Sequence, residues 1–288
     1  MKKIILLLPV YNDWESLIKV LDEINSTVQG VDNYQFNCVI VNDCSSVETP
    51  NIFKPNNFNS LKIINMKENR GHARCNAFGL RHISLNESCD YVIVMDSDGE
   101  DRPVEIKDLI HKIYEEPEVS VVAKRIKRSE GPIFQFLYKI HKLITFIFAG
   151  KRINFGNYSC LTKKDINILA DKASLWSSFS GSVKKHLTNL NEIDSIRGLR
   201  YFGPSKMSLF NLAIHSFSII GVFKFTVFLR STFFIIILSF LTKFLGSITI
   251  TLQILLVFFN LLIFVVSMRE NKNALLKSDK NVLNEKKI

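Results

Sequence analysis

The sequence has few cysteines, and no two of them stand at the C-x-x-C spacing of zinc and redox sites. The five are Cys38, Cys44, Cys75, Cys89 and Cys160. An odd number of scattered thiols predicts neither a zinc centre nor a disulfide framework, so we expect reduced core or loop thiols. The chain also lacks a G-x-G-x-x-G motif after its first apolar run and a Walker lysine motif, which argues against dinucleotide-binding and P-loop chemistry.

The sequence has fewer acidic than basic residues: it contains 27 Asp and Glu and 37 Lys and Arg, which gives a formal net charge of +10. This charge is compatible with nucleic-acid binding, but the clearest basic cluster has no interleaved aromatic pattern around it. The cluster consists of Lys124, Arg125, Lys127 and Arg128. Anionic membrane lipid is a simpler partner, and a solvated basic loop is the alternative. We therefore expect no nucleic-acid partner.

Charged side chains are absent from residues 244–268. An uncharged stretch of this length exceeds the roughly 20 residues that a helix needs to cross a bilayer. A second apolar run, 231–242, lies between Arg230 and Lys243, and it extends backwards if Arg230 is near a helix end or snorkels. We expect two transmembrane helices over 226–268. The alternative is one span preceded by an interfacial helix.

Positive charge predicts how these helices are oriented. The segment after Met268 carries six Lys and Arg residues and three acids, which favours the cytoplasmic side. The N-terminal Met1-Lys2-Lys3 precedes only a short apolar run with no small-residue cleavage site, so we expect no export signal. A helical hairpin then leaves both termini and the domain before the helices in the cytoplasm, at a bacterial-type inner membrane.

Strand and helix patterns alternate through the N-terminal part of the chain. Strands are predicted over Ile4–Pro9, Phe36–Asn42, Leu61–Asn65, Tyr91–Met95 and Val119–Ala123, and helices over Asp13–Val28 and His72–Leu85. Continuous apolar strands separated by helices predict an α/β fold with a mostly parallel, Rossmann-like sheet that is covered on both faces.

Asp96 and Asp98 follow the apolar strand that ends at Met95. Two carboxylates at the carboxyl end of a buried strand can hold a hard divalent cation, which can bridge the phosphates of a nucleotide diphosphate. On spacing alone, two acids after a strand are more often a solvated turn or a helix N-cap than a metal site.

Four motifs, in their order along the chain, strengthen the metal-binding interpretation of Asp96 and Asp98. They are L-P-V-Y-N-D at 8–13, V-N-D-C-S-S at 41–46, N-R-G-H-A-R at 69–74 and M-D-S-D-G-E-D-R-P at 95–103. In this order and spacing the chain resembles the family 2 inverting glycosyltransferases of GT-A fold, and within them the polyprenyl-phosphate, dolichol-phosphate mannose synthase-like group. The resemblance continues through 155–161 and 200–207 and then into the membrane pair.

The resemblance implies a set of residues that bind the nucleotide of a nucleotide-sugar donor. These are Pro9, Tyr11, Asp13, Asp43, Asn69, Arg74 and Asp96. In this set an aromatic ring can stack on the base and an acid can accept from ribose hydroxyls, while Asp43 matches an acid that reads the nucleobase. Asn42 replaces the first of two aspartates that are commoner in the family, so base preference stays open.

The resemblance also implies a metal site formed by Asp96, Asp98 and Glu100, which would hold Mg²⁺ or Mn²⁺ and offset charge on the leaving diphosphate. Asp101 is expected to face solvent or to cap the helix that starts near Pro103. Arg125 matches a basic residue near phosphate. The acceptor phosphate is assigned to Lys139, Arg200, Ser205 and Lys206, although lysines on an amphipathic helix and charges beside a membrane helix are also typical of solvated surfaces.

Asn157 departs from the family pattern, in which an aspartate at this position is proposed as the catalytic base. An amide cannot take a proton at neutral pH, so a hydroxyl acceptor would lack its base. A lipid phosphate is already anionic and needs none. This favours a polyprenyl-phosphate acceptor; another acid serving as base and a loss of activity are the alternatives. His72, His141 and His215 have no metal-binding spacing, and we expect core or interfacial histidines.

The sequence therefore predicts a metal-dependent, membrane-bound hexosyltransferase that moves a sugar to a lipid-linked acceptor with inversion. Its GT-A catalytic domain is expected over 1–210, an amphipathic interfacial segment over 211–225, the membrane helices over 226–268 and a basic cytoplasmic tail over 269–288. The alternatives are a transferase that glycosylates a hydroxyl of a lipid-linked or surface polysaccharide, and an inactive nucleotide-sugar-binding scaffold. An oligomer is neither predicted nor excluded.

Overall fold

The computed structural model describes residues 1–127, 132–204 and 208–288. Its centre is one sheet of eight strands in the order β7-β5-β6-β4-β1-β2-β3-β8. The strands are β1 Lys2–Val10, β2 Tyr34–Asn42, β3 Phe58–Met66, β4 Tyr91–Val94, β5 Ser120–Lys127, β6 Phe155–Thr162, β7 Leu190–Ile196 and β8 Val282–Lys287. The four strands β4, β1, β2 and β3 run parallel, whereas β6 and β8 are antiparallel to their neighbours.

Ten α-helices accompany the sheet in the described residues. They are α1 Trp14–Val28, α2 His72–Asn86, α3 Ile106–Glu115, α4 Pro132–Ile144, α5 Lys163–Leu169, α6 Phe179–His186, α7 Leu209–Gly221, α8 Lys224–Leu245, α9 Ser247–Ser267 and α10 Lys272–Leu276. A π-helical turn, Thr145–Ala149, continues α4.

Both faces of the sheet are buried, because successive side chains of a strand point to opposite faces. In β1, Ile5 and Leu7 pack on the α2 side, whereas Ile4, Leu6 and Leu8 pack on the side of α1 and α3. Helix α1 presents a matching apolar stripe at helical spacing, formed by Leu17, Val20, Leu21 and Ile24. The predicted α/β fold with its mostly parallel sheet is confirmed.

The predicted elements differ from the observed ones mainly at their ends. Each of the five predicted strands and both predicted helices is present, and β1 and β2 begin two residues earlier than expected. Strands β6, β7 and β8 were not predicted. All five cysteines are free, as expected.

Helices α8 and α9 are long and apolar enough to cross a membrane. Only 11% of the residues in the most apolar window of each helix are buried inside the protein, which is unlike a core helix of a globular domain. Lys224 at the start of α8 pairs with Glu270 just after α9, at 3.1 Å, so these two helix ends lie side by side. Val227 of α8 and Ile263 of α9 pack into the hydrophobic core on the α2 side of the sheet.

The segment after α9 returns to the sheet. Strand β8 pairs antiparallel with β3, from Lys62 opposite Lys287 to Met66 opposite Val282. Residues that we expected to form a separate tail therefore complete the edge of the sheet. If α8 and α9 cross a bilayer, the pairing requires the chain to leave and return on the same side.

Candidate functional site

The site lies at the carboxyl ends of the central parallel strands. Asp13 follows β1, Asp43 follows β2 and the loop of Asp96 and Asp98 follows β4. Because β4, β1 and β2 are neighbours and run parallel, these acids reach one edge of the sheet.

Asp96 contacts a histidine and an amide. Its Oδ1 lies 3.1 Å from His72 Nε2 and 3.1 Å from Asn157 Nδ2. Burial by itself would raise the pKa of Asp96, but His72 and Arg125 hold it below its usual value. Asp96 is therefore anionic at neutral pH.

Asn157 and His72 also contact each other. His72 Nε2 lies 2.6 Å from the Asn157 amide and 3.1 Å from Asn76 Nδ2. Desolvation would lower the pKa of His72, but Asp96 raises it above its usual value. We expected His72 to be a core or interfacial residue, whereas it is the first residue of α2 and lies in the site. Its place in the N-R-G-H-A-R motif, directly after β3, was the available signal.

A second histidine, from the helix that precedes α8 and α9, lies close to this group. Burial, together with the nearby charges of His72 and Arg125, lowers the pKa of His215 in α7 to about 4. His215 is therefore neutral at pH 7. Helix α7 thus brings His215 close to the group formed by Asp96, His72 and Asn157.

Two arginines pair with two further acids of the Asp96 loop, Asp98 and Glu100. Arg200 Nη1 donates to Asp98 Oδ2 at 2.6 Å, and its Nη2 donates to Asp13. Arg197 donates to Glu100. Burial and the neighbouring Asp96 raise the pKa of Asp98.

The arginines belong to a segment, Arg197–Phe202, that we call the strap. Its backbone is bonded to the acidic loop, because Gly198 N–H donates to the Glu100 carbonyl at 2.8 Å and Tyr201 N–H donates to the Asp98 carbonyl at 3.0 Å. The Tyr201 ring lies against Gly99, where a Cβ would come within 2.7 Å of the ring. Gly99 has φ +90, so this position favours glycine for both conformation and space.

Asp101 is buried, with 3% of its surface exposed, so the expectation that it faces solvent is wrong. Its carboxylate accepts from the backbone N–H of Asp96 at 2.9 Å and lies 3.6 Å from Arg125 Nη2. Burial and the charge of Asp96 raise the pKa of Asp101 to about 7. Arg125 thus contacts the back of the acidic loop.

The residues assigned to the nucleoside surround the end of β1. The Pro9 carbonyl accepts from Ser97 Oγ at 2.5 Å, and the Asp13 carboxylate accepts from Ser16 Oγ at 2.7 Å. Tyr11 is 40% exposed, so its ring is accessible for stacking.

Asp43 is only 4% exposed. Its two carboxylate oxygens accept from the backbone N–H groups of Arg70 at 3.0 Å and Gly71 at 2.8 Å. Burial raises the pKa of Asp43 despite these bonds. Its visible role is to hold the loop before α2.

The other predicted site residues are more scattered. Asn69 is exposed, and Arg74 lies over Trp176 with 5.9 Å between the guanidinium carbon and the ring centroid. Lys139 is exposed on α4. Ser205 and Lys206 lie outside the described residues.

Asp96 and Asp98 offer the hard oxygen donors that Mg²⁺ and Mn²⁺ prefer, so the chemistry of the pair fits such an ion. Within the described residues, no three Asp, Glu, His or Cys side chains form a ready metal-binding group. Glu100 is turned towards Arg197. The described residues thus offer two carboxylates to such an ion, and further ligands would have to come from substrate or water.

Solved structures with this architecture come from two bacteria. One is glucosyl-3-phosphoglycerate synthase from Mycobacterium tuberculosis in complex with Mn²⁺, UDP-glucose and phosphoglyceric acid. It is 13% identical, with a TM-score of 0.54 over 78% of this chain and 80% of that one. Another is residues 1–349 of S. aureus TarS in complex with UDP-GlcNAc, 16% identical, with a TM-score of 0.52 over 84% of this chain and 73% of that one. At these identities the likeness establishes the fold.

A comparison with curated protein sequences finds no match. The family model described as glycosyl transferase family 2 matches residues 5–176, which is more than half of the chain. The matched region contains the strands of the parallel core, the acidic loop and Asn157. The fold, the acidic loop at the sheet edge and this match agree: the chain belongs to glycosyl transferase family 2 and has the GT-A fold.

Proposed function

We propose that the chain is a membrane-held glycosyltransferase that moves a sugar from a nucleotide-sugar donor to a polyprenyl phosphate, with inversion at the anomeric carbon. Family membership supports a glycosyltransferase, and the similar structures whose titles name UDP-glucose and UDP-GlcNAc support a nucleotide-sugar donor. The donor sugar, which we expect to be a hexose, and the acceptor are parts of the proposal.

The donor nucleotide would lie along the ends of β1 and β2. In this arrangement Tyr11 stacks on the base and Asp13 accepts from ribose hydroxyls. Asp43 shapes the pocket through the loop that it holds, with Asn69 at the rim. Arg200 must release Asp13 and Asp98 for both acids to engage a donor, so donor binding is coupled to movement of the strap.

The proposed acceptor follows from the contacts that the acids of the Asp96 loop already make. Each carboxylate of the loop contacts a cationic or basic partner: Asp96 with His72, Asp98 with Arg200, Glu100 with Arg197 and Asp101 with Arg125. At the position where the family pattern has a candidate base, this chain has Asn157, whose amide cannot take a proton. An acceptor that is already ionised therefore suits this site better than a hydroxyl, because its phosphate oxygen needs no proton removed before it attacks the anomeric carbon.

A divalent cation is a further part of the proposal. Asp96 and Asp98 would hold Mg²⁺ or Mn²⁺, with Glu100 as a third ligand only if Arg197 releases it. The ion would supply positive charge to the leaving nucleoside diphosphate. Arg125, fixed behind the loop, adds positive charge to the same region.

The membrane side of the proposal rests on three helices. Beside α8 and α9, helix α4 exposes an apolar face formed by Phe136, Leu137, Ile140 and Leu143. Arg230 of α8 donates to the carbonyls of Phe146 and Ile147, at 3.2 and 2.8 Å, and so caps the end of this helical segment. A helix with an exposed apolar face that is fixed to a membrane span suits the interface between lipid and water.

This placement would bring the acceptor phosphate to the site while its chain stays in lipid. Lys139 on α4 and Ser205 and Lys206 after the strap are the proposed phosphate contacts, joined by Arg200 once it leaves Asp98. The catalytic domain and both termini would lie in the cytoplasm, as the positive charge of 269–288 favours.

The test is label transfer from a panel of nucleotide sugars to a short polyprenyl phosphate in detergent, with Mg²⁺ or Mn²⁺ and an Asp96→Ala/Asp98→Ala control. We expect metal-dependent label in the organic phase that the control lacks. Transfer only to a saccharide acceptor would instead favour a hydroxyl nucleophile. Nucleotide binding without transfer to any acceptor would favour a scaffold that lacks turnover.

A further inference from the structure

Three asparagines lie side by side on the neighbouring strands β2, β3 and β8. Asn42 is opposite Asn65, and Asn65 is opposite Asn284, so their side chains share one face of the sheet. Asn42 Nδ2 donates to Asn65 Oδ1 at 2.8 Å, and Asn65 Nδ2 donates to Asn284 Oδ1 at 2.7 Å. We call this row of hydrogen-bonded amides the asparagine ladder. It joins the segment after α9 to the parallel core of the sheet.

The ladder continues into residues 43–47, which follow β2 and which we call the base loop. Asn42 Oδ1 accepts from the backbone N–H of Ser45 at 2.9 Å. Ser45 Oγ in turn accepts from the backbone N–H of Asn12 at 2.9 Å, and Asn12 Oδ1 accepts from the backbone N–H of Ser46 at 2.8 Å. The base loop is thus bonded both to the ladder and to the segment between β1 and α1.

Both of these loops contain a residue in the left-handed region of backbone space. Asn12 has φ +52 and Cys44 has φ +59, and neither is glycine. A non-glycine residue in this region costs free energy, persists where its surroundings fix it, and is often found at binding sites. The hydrogen bonds of Asn12 and Asn42 fix the two loops here. The strand ends where the donor nucleoside would lie therefore have a defined conformation.

The ladder gives a physical reason for an amide at position 42. Asn42 is buried, with 6% of its surface exposed, and it donates to Asn65 while it accepts from Ser45. A carboxylate can only accept. An aspartate at this position would therefore need the amides of Asn65 and Asn284 to turn over.

The segment after α9 also contacts a second loop of the donor site. Asn281 Nδ2 donates to the Glu68 carbonyl at 3.1 Å, and the Asn281 carbonyl accepts from the backbone N–H of Lys67 at 2.7 Å. Glu68 directly precedes Asn69, which we place at the rim of the donor pocket. Asn281 lies outside residues 5–176, the region that the family model matches.

We propose that β8 is part of the donor-binding site: Asn284, through Asn65 and Asn42, positions the base loop for the nucleobase of the donor. The three asparagines are positioning residues, because each acts through the base loop. The inference rests on the proposed function, since it takes the ligand to be the nucleoside diphosphate of a nucleotide sugar. It adds that affinity for this ligand depends on a strand that follows both long helices.

The test is calorimetric titration of the full chain in detergent with UDP, GDP, CDP and ADP, and then of each variant with the tightest of these. Asn65→Leu interrupts the ladder at its centre and leaves the buried Asn42 donor without an acceptor, so we expect a dissociation constant at least about tenfold higher. Asn65→Asp should restore most of the affinity, because a carboxylate accepts from Asn42 and from a turned Asn284 amide. Binding stoichiometry should stay at the parent value.

This order of affinities separates positioning from packing. If position 65 only filled space in the sheet, the apolar Asn65→Leu would be tolerated at least as well as the charged Asn65→Asp. Rescue by the carboxylate therefore reports the hydrogen bonds of the ladder.

Asn284→Ala tests the contribution of β8 itself. We expect about threefold weaker binding, the size of effect of one exposed hydrogen bond. Adding Asn284→Ala to Asn65→Leu should cause no further loss, because the ladder is already interrupted. Leu283→Ala is the matched control, since it truncates the neighbouring, 62% exposed side chain of β8 outside the ladder, and it should leave the dissociation constant unchanged.

Parent-like affinity in Asn65→Leu would overturn the proposal, and so would losses that simply multiply in the Asn65→Leu/Asn284→Ala variant. Equal weakening by Leu283→Ala and Asn284→Ala would also overturn it, because β8 would then act through packing. If the parent binds none of the four nucleotides, the donor site and the ladder proposal both fail. If the affinities follow the expected order but no sugar is transferred, the ladder proposal stands and only the transfer reaction is refuted.

Discussion

Arg200 and Asp98 are joined at 2.6 Å, and the other arm of the same guanidinium reaches Asp13. One side chain therefore neutralises an acid assigned to the nucleoside and an acid assigned to the metal. Neither acid is free for its proposed partner while this bridge is closed. The strap thus determines the charge of the site before a donor arrives.

Arg200→Ala should lower the rate of transfer by about 100-fold, the order of effect expected when a cation beside developing charge is removed. Arg197→Ala is the matched control, since Arg197 comes from the same strap but contacts Glu100 rather than the two bridged acids. We expect a clearly smaller loss for Arg197→Ala. Steady-state label transfer measures both, and equal losses would contradict the bridging role.

Asp98→Ala should abolish transfer and leave membrane insertion intact, because in the proposed site this carboxylate holds the metal and does not support the core. Asp108→Ala, an exposed change in α3, controls for the loss of one acid. Detergent-extracted yield and label transfer are the measurements. Turnover of Asp98→Ala at the parent rate would remove Asp98 from the metal site.

Asn157→Asp would place a second carboxylate 3.1 Å from Asp96, where like-charge repulsion amounts to about 1–5 kcal/mol. For a phosphate acceptor we expect slower transfer, because negative charge is added where an anion must approach. Asn157→Ala separates the loss of the amide from the gain of charge. Faster transfer by Asn157→Asp to a saccharide hydroxyl would instead support a base at this position.

Leu275→Ala should destabilise the protein by about 2–5 kcal/mol, the range for a buried leucine that leaves a cavity. Leu275 is fully buried in α10 and belongs to the core on the α2 side of the sheet. Leu283→Ala is the matched control in the same segment, since Leu283 is 62% exposed in β8. Thermal unfolding in detergent compares them. Equal melting temperatures would mean that the segment after α9 does not pack on the domain.

Arg230→Met should loosen the helical segment that ends at Ala149, because the Ile147 carbonyl loses the Arg230 donor and the Phe146 carbonyl keeps only the Gly150 N–H. Hydrogen bonds to a charged group contribute about 1.5–3 kcal/mol. Lys243→Met, near the other end of α8, controls for the loss of charge. Proteolysis between α4 and β6 should become faster only in Arg230→Met, and similar rates in both variants would contradict the capping role.

Much of the fold could be predicted because the parallel core strands are continuous apolar runs, such as Tyr91–Val94, whose pattern depends on burial alone. Strand β8 could not, since its sequence is polar and charged and all but its first residue are exposed. It forms an edge strand through backbone hydrogen bonds to β3, and these bonds do not require an apolar pattern of side chains that could be seen in the sequence.

Those parts of the candidate site whose residues all lie within one sequence motif could be predicted, as in the loop of Asp96 and Asp98. The contacts that tune it join distant parts of the chain. His72 reaches Asn157 across 85 positions, and Arg200 reaches Asp13 across 187. Neither pairing follows from spacing, because it depends on where α2 and the strap lie against the sheet.

The position of β8 also sets an order of events during synthesis. The ribosome makes β8 only after α8 and α9, so β3 must wait with an open edge until both helices have been made. An open edge can pair with other chains. If α8 and α9 cross a membrane, as we propose, a nascent protein whose helices fail to insert would carry two hazards at once, exposed apolar helices and an unpaired strand, and insertion would bring the partner of β3 within reach.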